Sequence, residues 1–198
     1  MKNKLAKLSD HILLLTIIIS LLLLSPGINR NAYAFSKYGI LGQKAPELNL
    51  NTWIDGYGNK IKPIKLKQLK GKVIYMYFFQ AWCPGCHSHG FPTIKALTKE
   101  FKSNPDVAFL AVQTVFEGFT FNTENKLREN QIKYDIHVPM AHDTGKGKPG
   151  RTPETMINYR SGGTPWTVII DPEGTIVYNQ FHIDAKKATA MIRRLIKK

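Results

Sequence analysis

The clearest pattern in the sequence is a pair of apolar runs separated by a segment with helical spacing. The first run, Val73–Phe79, has seven consecutive apolar residues and no charge, which is typical of a strand buried on both faces in the middle of a sheet. The second run, Val107–Thr114, predicts another strand. Between them, apolar residues recur on one helical face: Phe91, Ile94, Leu97 and Phe101. This spacing predicts a helix that ends near Phe101.

The middle of the chain predicts a second helix and a further strand. Asn122–Gln131 has the composition of a helix, with Asn122 or Thr123 available as its N-cap. Ile136–Met140 predicts a short strand. The stretch from Asp143 to Glu154 is rich in glycine, proline and lysine, which predicts a mobile surface loop.

The last part of the chain predicts a β-hairpin followed by a helix. The segment TPWTVIIDPEGTIVYNQF has two apolar runs joined by residues 171–174, with proline preset for the second turn position and glycine for the last. From Asp184 a helix places four apolar residues inward: Ala188, Met191, Ile192 and Leu195. Residues 35–72 contain several turn residues and predict a lead-in of turns, with a hairpin as one option.

The N-terminal segment has the pattern of an export signal. Three lysines lie within the first seven residues, and the apolar run Ile12–Leu24 that follows is short for a membrane span. Ala32-Tyr33-Ala34 then supplies a small-x-small cleavage pattern. We expect residues 1–34 to be a signal peptide or, if uncleaved, an inner-membrane anchor, and residues 35–198 to be one domain. The protein is then exported and periplasmic or otherwise extracytoplasmic, and it meets a membrane only through an uncleaved N-terminus.

Composition narrows the classes of partner. The chain has 198 residues, is 43% hydrophobic and carries a formal charge of +14, and the basic excess persists when residues 1–34 are set aside. It has no arginine-rich block, and export argues against nucleic acid as a partner. We interpret the lysines as a solvated basic surface, with attraction to acidic partners or an anionic membrane face as the alternative.

The candidate chemistry lies in the two cysteines of the chain, Cys83 and Cys86. A pair this close closes a very small ring and gives little chain-entropy stabilisation, so a structural staple is a poor interpretation. The start of a helix favours a thiolate through its unpaired N–H groups and dipole. We expect Cys83 to be the attacking thiol and Cys86, one turn later and shielded, to resolve a mixed disulfide.

Three motifs together resemble a known fold. FFQAWCPGC, then GGTPW, then VIIDPEGTIVY are similar to the corresponding motifs of the thioredoxin fold, and most similar to the exported TlpA-like thioredoxins. The resemblance covers roughly Gly39 to Lys198. It implies an α/β protein of the thioredoxin-like three-layer α/β/α class with a central mixed sheet.

The resemblance also implies an activity and its partners. The chain would be a thiol:disulfide oxidoreductase that needs no cofactor or metal beyond the redox-active pair. Its substrates would be protein thiols and disulfides, and a membrane or exported redox partner would recycle the pair. Trp82, Thr164 and Pro165 would line the substrate groove, with Pro165 in the cis form and facing the disulfide.

The chain departs from that family at three positions. Thioredoxins carry a buried Asp where this chain has Tyr77, and TlpA-like proteins often carry a Glu where it has His89. Pro92 comes one residue later than the family's helix proline. Without those carboxylates, His87 or His89 is a candidate local acid or base, since imidazole titrates near neutrality. The alternative is that both are helix-surface histidines with no role.

Two cofactor alternatives remain open at this point. CPGCH matches a haem attachment motif, although such a motif needs an exposed loop rather than the end of a buried strand. Cys83, Cys86, His87 and His89 are also possible soft ligands for copper or zinc. However, four ligands within seven helical residues point around more than one face.

Two protein-class alternatives also remain. PGCHSHGFP resembles the active-site helix of some peroxiredoxins, which would make Cys86 the peroxidatic residue of a thiol peroxidase. That family carries Thr and Pro where this chain has Cys83 and Phe79. The last alternative is a non-catalytic thioredoxin-fold binding protein with incidental cysteines. Pro84-Gly85 does not fix whether the pair reduces or oxidises its substrates.

Overall fold

The computed structural model describes residues 37–145 and 152–196. Its strands are β1 Thr52–Ile54, β2 Val73–Phe79, β3 Val107–Thr114, β4 Met140–Asp143, β5 Trp166–Ile170 and β6 Ile176–Phe181. Its α-helices are α1 Phe91–Glu100, α2 Asn125–Tyr134, α3 Glu154–Tyr159 and α4 Ala185–Ile196, and a 3-10 helix spans Leu66–Leu69. A π-helical turn, Cys86–Gly90, leads directly into α1.

These strands form one mixed sheet in the order β1-β4-β3-β2-β5-β6. β2, β3 and β4 run parallel, while β1, β5 and β6 pair antiparallel with their neighbours. The predicted mixed sheet and α/β class are therefore confirmed. Because β2 lies between two strands and under both layers, all seven of its side chains are buried, as its uncharged run predicts.

Alternate residues of β2 point into two separate cores. One core lies under α1, α2 and α4, and it holds Tyr75, Tyr77 and both cysteines. The other lies under the lead-in segment and α3, and it holds Ile74, Met76 and Phe78. The second outer layer is thus built mostly from extended lead-in chain, since α3 is its single α-helix among the described residues.

Two boundaries differ from the sequence-based expectations. The second helix runs Asn125–Tyr134 rather than 122–131, and its N-cap position is Glu124 with no side-chain cap bond. The strand expected at 136–140 lies at Met140–Asp143 instead. The short helix α3 was not expected, because it lies where a glycine- and proline-rich loop was predicted to end. The hairpin and the last helix are confirmed.

Some expectations fall on residues that are not described. The signal peptide or anchor at 1–34, and most of the loop predicted to be mobile, lie outside residues 37–145 and 152–196. Within those described residues, no helix combines the length and apolar character needed to cross a membrane.

Candidate active site at the end of the central strand

Cys83 lies just beyond the carboxyl end of β2, where the chain turns into a helix. A tight turn closes on it, with the N–H of Cys83 donating to the carbonyl of Gln80 at 3.1 Å. The backbone N–H of Cys86 donates to the Cys83 Sγ at 3.3 Å. A hydrogen bond from the Cys86 thiol is the largest cause that lowers the pKa of Cys83, to about 5. Burial opposes this shift, while Thr164 and nearby backbone N–H groups add to it. Cys83 is therefore largely a thiolate at neutral pH.

Cys86 lies one turn further on and has the opposite character. It is 0% exposed, whereas Cys83 is 7% exposed. Burial, followed by its hydrogen bond to Cys83, raises the pKa of Cys86 far above that of an ordinary thiol. The two sulfurs thus form an unequal pair, in which one is charged near the surface and the other is protonated inside.

The helix that carries Cys86 begins with a π-helical turn rather than an α-helical one. The N–H of Phe91 donates to the carbonyl of Cys86, five residues back, and the phenol of Tyr77 donates to the same carbonyl at 3.2 Å. This turn adds one residue before Pro92, which accounts for its late position in the sequence. Gly90 is required here, because a Cβ at that position would lie 2.2 Å from the Tyr77 hydroxyl.

The loop before β5 lies against the cysteine pair. The Thr164–Pro165 peptide is cis, and the Cys83 thiol lies 3.5 Å from the carbonyl oxygen of Thr164, to which it can donate when protonated. Gly85 faces the proline ring, since a Cβ there would be 3.2 Å from the Pro165 Cδ. The sequence motifs 83–86 and 162–166 therefore meet in space.

Trp82 flanks Cys83 on the other side and is 42% exposed. Its indole edge lies close to Gly118, where a Cβ would be 3.1 Å from the ring. The loop after β3 therefore packs against this edge of the indole, while much of the side chain stays accessible. Trp82, Cys83, Thr164 and Pro165 are gathered at one edge of the sheet.

The peptide groups of Ala81, two residues before Cys83, are held from both sides. The Asn122 Oδ1 accepts from the Ala81 N–H at 2.6 Å, and the His87 Nε2 lies 2.6 Å from the Ala81 carbonyl. The Asn122 amide also donates to Gln80 at 3.3 Å. We call this set of contacts the Ala81 clamp.

The two candidate acid or base histidines have different surroundings. A carbonyl only accepts, so the His87 Nε2 carries the proton in the Ala81 clamp. In the neutral ring Nδ1 then accepts from the Tyr134 hydroxyl at 2.6 Å. Both nitrogens of His87 are thus engaged in holding the chain. His89 is exposed and contacts the Ser88 hydroxyl at 2.7 Å, with the His182 ring 5.4 Å away.

The arrangement does not favour the metal alternative. The described residues contain no group of three or more histidine, cysteine or carboxylate side chains placed to hold a metal ion. Cys83, Cys86, His87 and His89 are close in sequence, but His87 points to Ala81 and Tyr134 while His89 points outward.

Sequence reasoning missed three residues of this site. Asn122 was interpreted as a helix cap, and its role at Ala81, 41 residues away, has no local signal. Tyr77 was noted only as the residue that replaces a carboxylate, and Gly90 was not noted. The one available signal was the shifted Pro92, which marks the extra residue of the helical turn.

Comparison with known proteins places this site in a family. The AhpC/TSA family model matches residues 41–179. Thiol-disulfide oxidoreductase ResA from Bacillus cereus is 27% identical over 137 residues, which are 69% of this chain and 67% of that protein.

Two solved structures are also similar. The crystal structure of the thioredoxin-like superfamily protein SPOA0173 has a TM-score of 0.66 and 34% identity, covering 78% of this chain and 97% of that one. A thiol-disulfide isomerase from Corynebacterium glutamicum has a TM-score of 0.66 and 27% identity over the same shares. Thiol-disulfide oxidoreductases are therefore homologues of this chain, which carries a vicinal cysteine pair, and the predicted enzyme class is confirmed. The chain belongs to the AhpC/TSA family, on the thioredoxin fold.

Proposed function

We propose that this chain exchanges disulfides with exported protein substrates, using Cys83 as the attacking thiolate and Cys86 as the resolving thiol. The single observation that carries the proposal is the unequal pair. Cys83, with a pKa of about 5, is a thiolate at neutral pH, while Cys86 stays buried and protonated. A thiolate attacks a disulfide sulfur, and a neighbouring thiol then releases the bound substrate.

The groove beside the pair supports a role in holding the substrate. The Thr164 carbonyl lies 3.5 Å from the Cys83 sulfur, and Pro165 packs against Gly85. Pro165 has no N–H, so the loop leaves its neighbouring backbone groups free to pair with an extended peptide. In the proposal, Thr164 and Pro165 position the substrate backbone and Trp82 contacts its side chains.

The test is a trapping experiment with the two single cysteine variants. Cys86→Ser should accumulate mixed disulfides with substrate through Cys83, because the resolving thiol is gone. Cys83→Ser should accumulate none. Mass spectrometry of the trapped species identifies the linked cysteine and the substrate protein together.

The same experiment separates the thiol peroxidase alternative. A peroxidase would use Cys86, which is fully buried and whose pKa is raised by that burial, so it is a poor nucleophile as placed. Trapping only in the Cys83→Ser protein, or peroxide turnover that needs Cys86 alone, would replace the proposal. No trapping in either variant would favour a binding protein with incidental cysteines.

The proposal includes an extracytoplasmic location and a recycling partner. The supporting observation is the N-terminal pattern of lysines, apolar run and Ala32-Tyr33-Ala34. N-terminal sequencing of the cell-derived protein should begin at Phe35. Met1 on membrane-bound material would show an anchor in place of a cleaved signal. The trapped Cys86→Ser protein should also carry the redox partner, whether membrane-bound or exported.

A further inference from the structure

The resolving step needs a group that the cysteine pair itself does not supply. To attack, Cys86 must become a thiolate while it is 0% exposed and surrounded by an apolar core. A charge in such surroundings is costly unless a hydrogen bond offsets the lost water. Once Cys83 is joined to substrate, it is no longer a thiolate that accepts from Cys86. Some other side chain must face the Cys86 sulfur.

The Tyr77 phenol is the side chain placed there. It lies on the helix-facing side of β2, in the same buried cluster as both cysteines. Its hydroxyl donates to the Cys86 carbonyl at 3.2 Å, and its interaction with the Cys86 side chain opposes the rise in the pKa of Cys86. Gly90 keeps the space for this hydroxyl, because a Cβ there would lie 2.2 Å from it. The phenol therefore has room beside Cys86 only because residue 90 has no side chain.

The hydroxyl can turn from the carbonyl to the sulfur without leaving a buried group unpaired. The Cys86 carbonyl accepts from the N–H of Phe91 as well as from Tyr77. When the phenol turns to the thiolate, the carbonyl keeps its backbone partner. The second donor to the carbonyl is thus available for the reaction.

We infer that Tyr77 stabilises the Cys86 thiolate by hydrogen-bond donation while the mixed disulfide is resolved, at the position where thioredoxins carry a buried Asp. The inference deepens the proposed function and rests on it. Burial, followed by the neighbouring Cys86, raises the pKa of Tyr77 well above that of an ordinary phenol. Tyr77 therefore remains protonated and acts as a donor, never as the base.

The step balances with water as the proton carrier. The Cys86 thiol gives its proton to solvent, and its sulfur attacks the Cys83 sulfur of the mixed disulfide. The bond between Cys83 and the substrate sulfur breaks as the Cys83–Cys86 bond forms. The substrate leaves as a thiolate and takes a proton from solvent. The substrate gains two electrons, the cysteine pair loses two, and Tyr77 is unchanged.

The experiment uses the reduced full-length protein with an aromatic disulfide, dithiobis-nitrobenzoate, as the probe. Attack by Cys83 releases one coloured thiolate, and resolution by Cys86 releases the second, so stopped flow gives the two rates separately. Tyr77→Phe removes only the hydroxyl. It should leave the first release unchanged and slow the second by about three- to tenfold. The rate falls because the Cys86 thiolate loses its hydrogen bond from Tyr77, which raises the pKa of the Cys86 thiol. The fall is limited because a thiolate of higher pKa is a stronger nucleophile.

Tyr75 offers a matched control. It is a buried tyrosine two residues earlier on the same face of β2, and its hydroxyl interacts with Thr167 and Tyr178 rather than with a cysteine. Tyr75→Phe should leave both releases unchanged. If Tyr75→Phe slows the second release as much as Tyr77→Phe does, or if Tyr77→Phe leaves it unchanged, the inference is overturned.

Failure of the proposed function would look different. The wild-type protein would then show no second release, because the probe would stay attached to Cys83 or would not react. If Tyr77→Phe folds poorly, a second variant with the opposite expected effect on the second release still tests the inference. Replacing Tyr77 with a ring-fluorinated tyrosine strengthens the donor at nearly the same size. It should speed the second release, and an unchanged rate would also overturn the inference.

Discussion

The carboxyl ends of β2 and β4 lie at the same edge of the sheet, because both strands run parallel to β3. The chain after β2 is held by three side chains, one from far along the sequence, Asn122, and two from nearby, His87 and Tyr77. The chain after β4 is held by one carboxylate. Asp143 accepts from the N–H groups of Gly145, Glu154 and Thr155 and from the Thr155 hydroxyl.

The contacts after β4 stabilise the fold, whereas those after β2 also position the cysteine pair. Asp143 binds chain within 12 residues of itself and touches neither cysteine. The Ala81 clamp reaches 41 residues along the chain and fixes the backbone just before Cys83, the proposed nucleophile. We therefore expect changes at Asp143 to alter stability alone, and changes at the clamp to alter stability and thiol chemistry together.

The largest expected effect is at Asp143, which is 3% exposed. Asp143→Ala should lower the free energy of unfolding by about 3 kcal/mol, because it leaves buried N–H groups without an acceptor. Urea unfolding measures this. The potential of the cysteine pair, measured against glutathione, should not move.

The matched control for Asp143 is an exposed carboxylate. Asp106→Ala removes the same charge at an exposed position and should change stability by less than about 0.5 kcal/mol. A shifted potential in Asp143→Ala would break the comparison, since it would show that the two ends are coupled.

The next effect is at Asn122, which is 1% exposed. Asn122→Ala should lower the free energy of unfolding by about 2 kcal/mol, since the Ala81 N–H loses its acceptor. It should also slow alkylation of Cys83 at neutral pH, because the turn that places the thiolate loosens. Asn130→Ala is the control, as Asn130 is a buried asparagine whose side-chain amide donates to the Lys126 carbonyl of its own helix. If both variants slow alkylation equally, the clamp has no specific effect on Cys83.

The pH dependence of the reduction potential directly tests the protonation state of the cysteine pair. Above about pH 5 the reduced pair holds one proton, on Cys86, because the pKa of Cys83 is lowered to about 5. Two electrons then travel with one proton, so the potential should fall by about 30 mV per pH unit. Below that pH both thiols are protonated and the slope should double. A glutathione titration at several pH values measures it, and one uniform slope would contradict the assignment of the thiolate.

The same pKa predicts the direction of a stability change in the reduced protein. The folded pKa of Cys83 lies below the ordinary thiol value of about 8.5. The stabilisation from this shift is therefore fully present above about pH 8.5 and is lost as pH falls through about 5. The oxidised protein lacks this contribution, so it serves as the control in paired unfolding measurements.

The smallest effect is expected at His87. His87→Phe keeps the stacked ring but removes both hydrogen bonds, and it should cost about 1 kcal/mol of stability. Because both ring nitrogens hold the chain, the pH profile of disulfide exchange should keep its shape. His89→Ala, at an exposed position, should change neither. A profile that loses a limb in His87→Phe would restore the acid or base role expected from the sequence.

The sequence predicted those parts of the fold whose signals are local. The apolar run Val73–Phe79 coincides with β2, in which every residue is buried, and an uncharged run of this length is typical of a strand buried on both faces. The hairpin at 166–181 followed from its turn residues. The mixed sheet and the approach of Pro165 to the cysteines were predicted from the resemblance to the thioredoxin fold. The spacing of apolar residues predicts neither the order of strands in a sheet nor which loops meet in space.

The remainder depends on partners far along the chain. Asn122 has the chemistry of a helix cap, yet the Ala81 N–H captures its side chain and the helix begins later, at Asn125. His87 looks like a surface residue at helical spacing, but Tyr134 engages it from 47 residues away. Tyr77 belongs to an apolar run in the sequence, and only the structure shows that its hydroxyl donates to the Cys86 carbonyl. Such contacts require the assembled structure.

The π-helical turn at Cys86–Gly90 also bears on how this site tolerates insertions and deletions. A π-helical turn bonds residues five apart, whereas a regular α-helix bonds residues four apart, so this turn takes up one extra residue with little rotation of the helix that follows. Deleting Ser88 would therefore convert the turn to α-helical spacing and leave the buried face of α1 and the Cys86 sulfur close to their present directions. The side chains between them would change direction instead, including His87 against Ala81 and Gly90 against Tyr77. A single codon gained or lost there changes the surroundings of the cysteine pair while both cysteines keep their places.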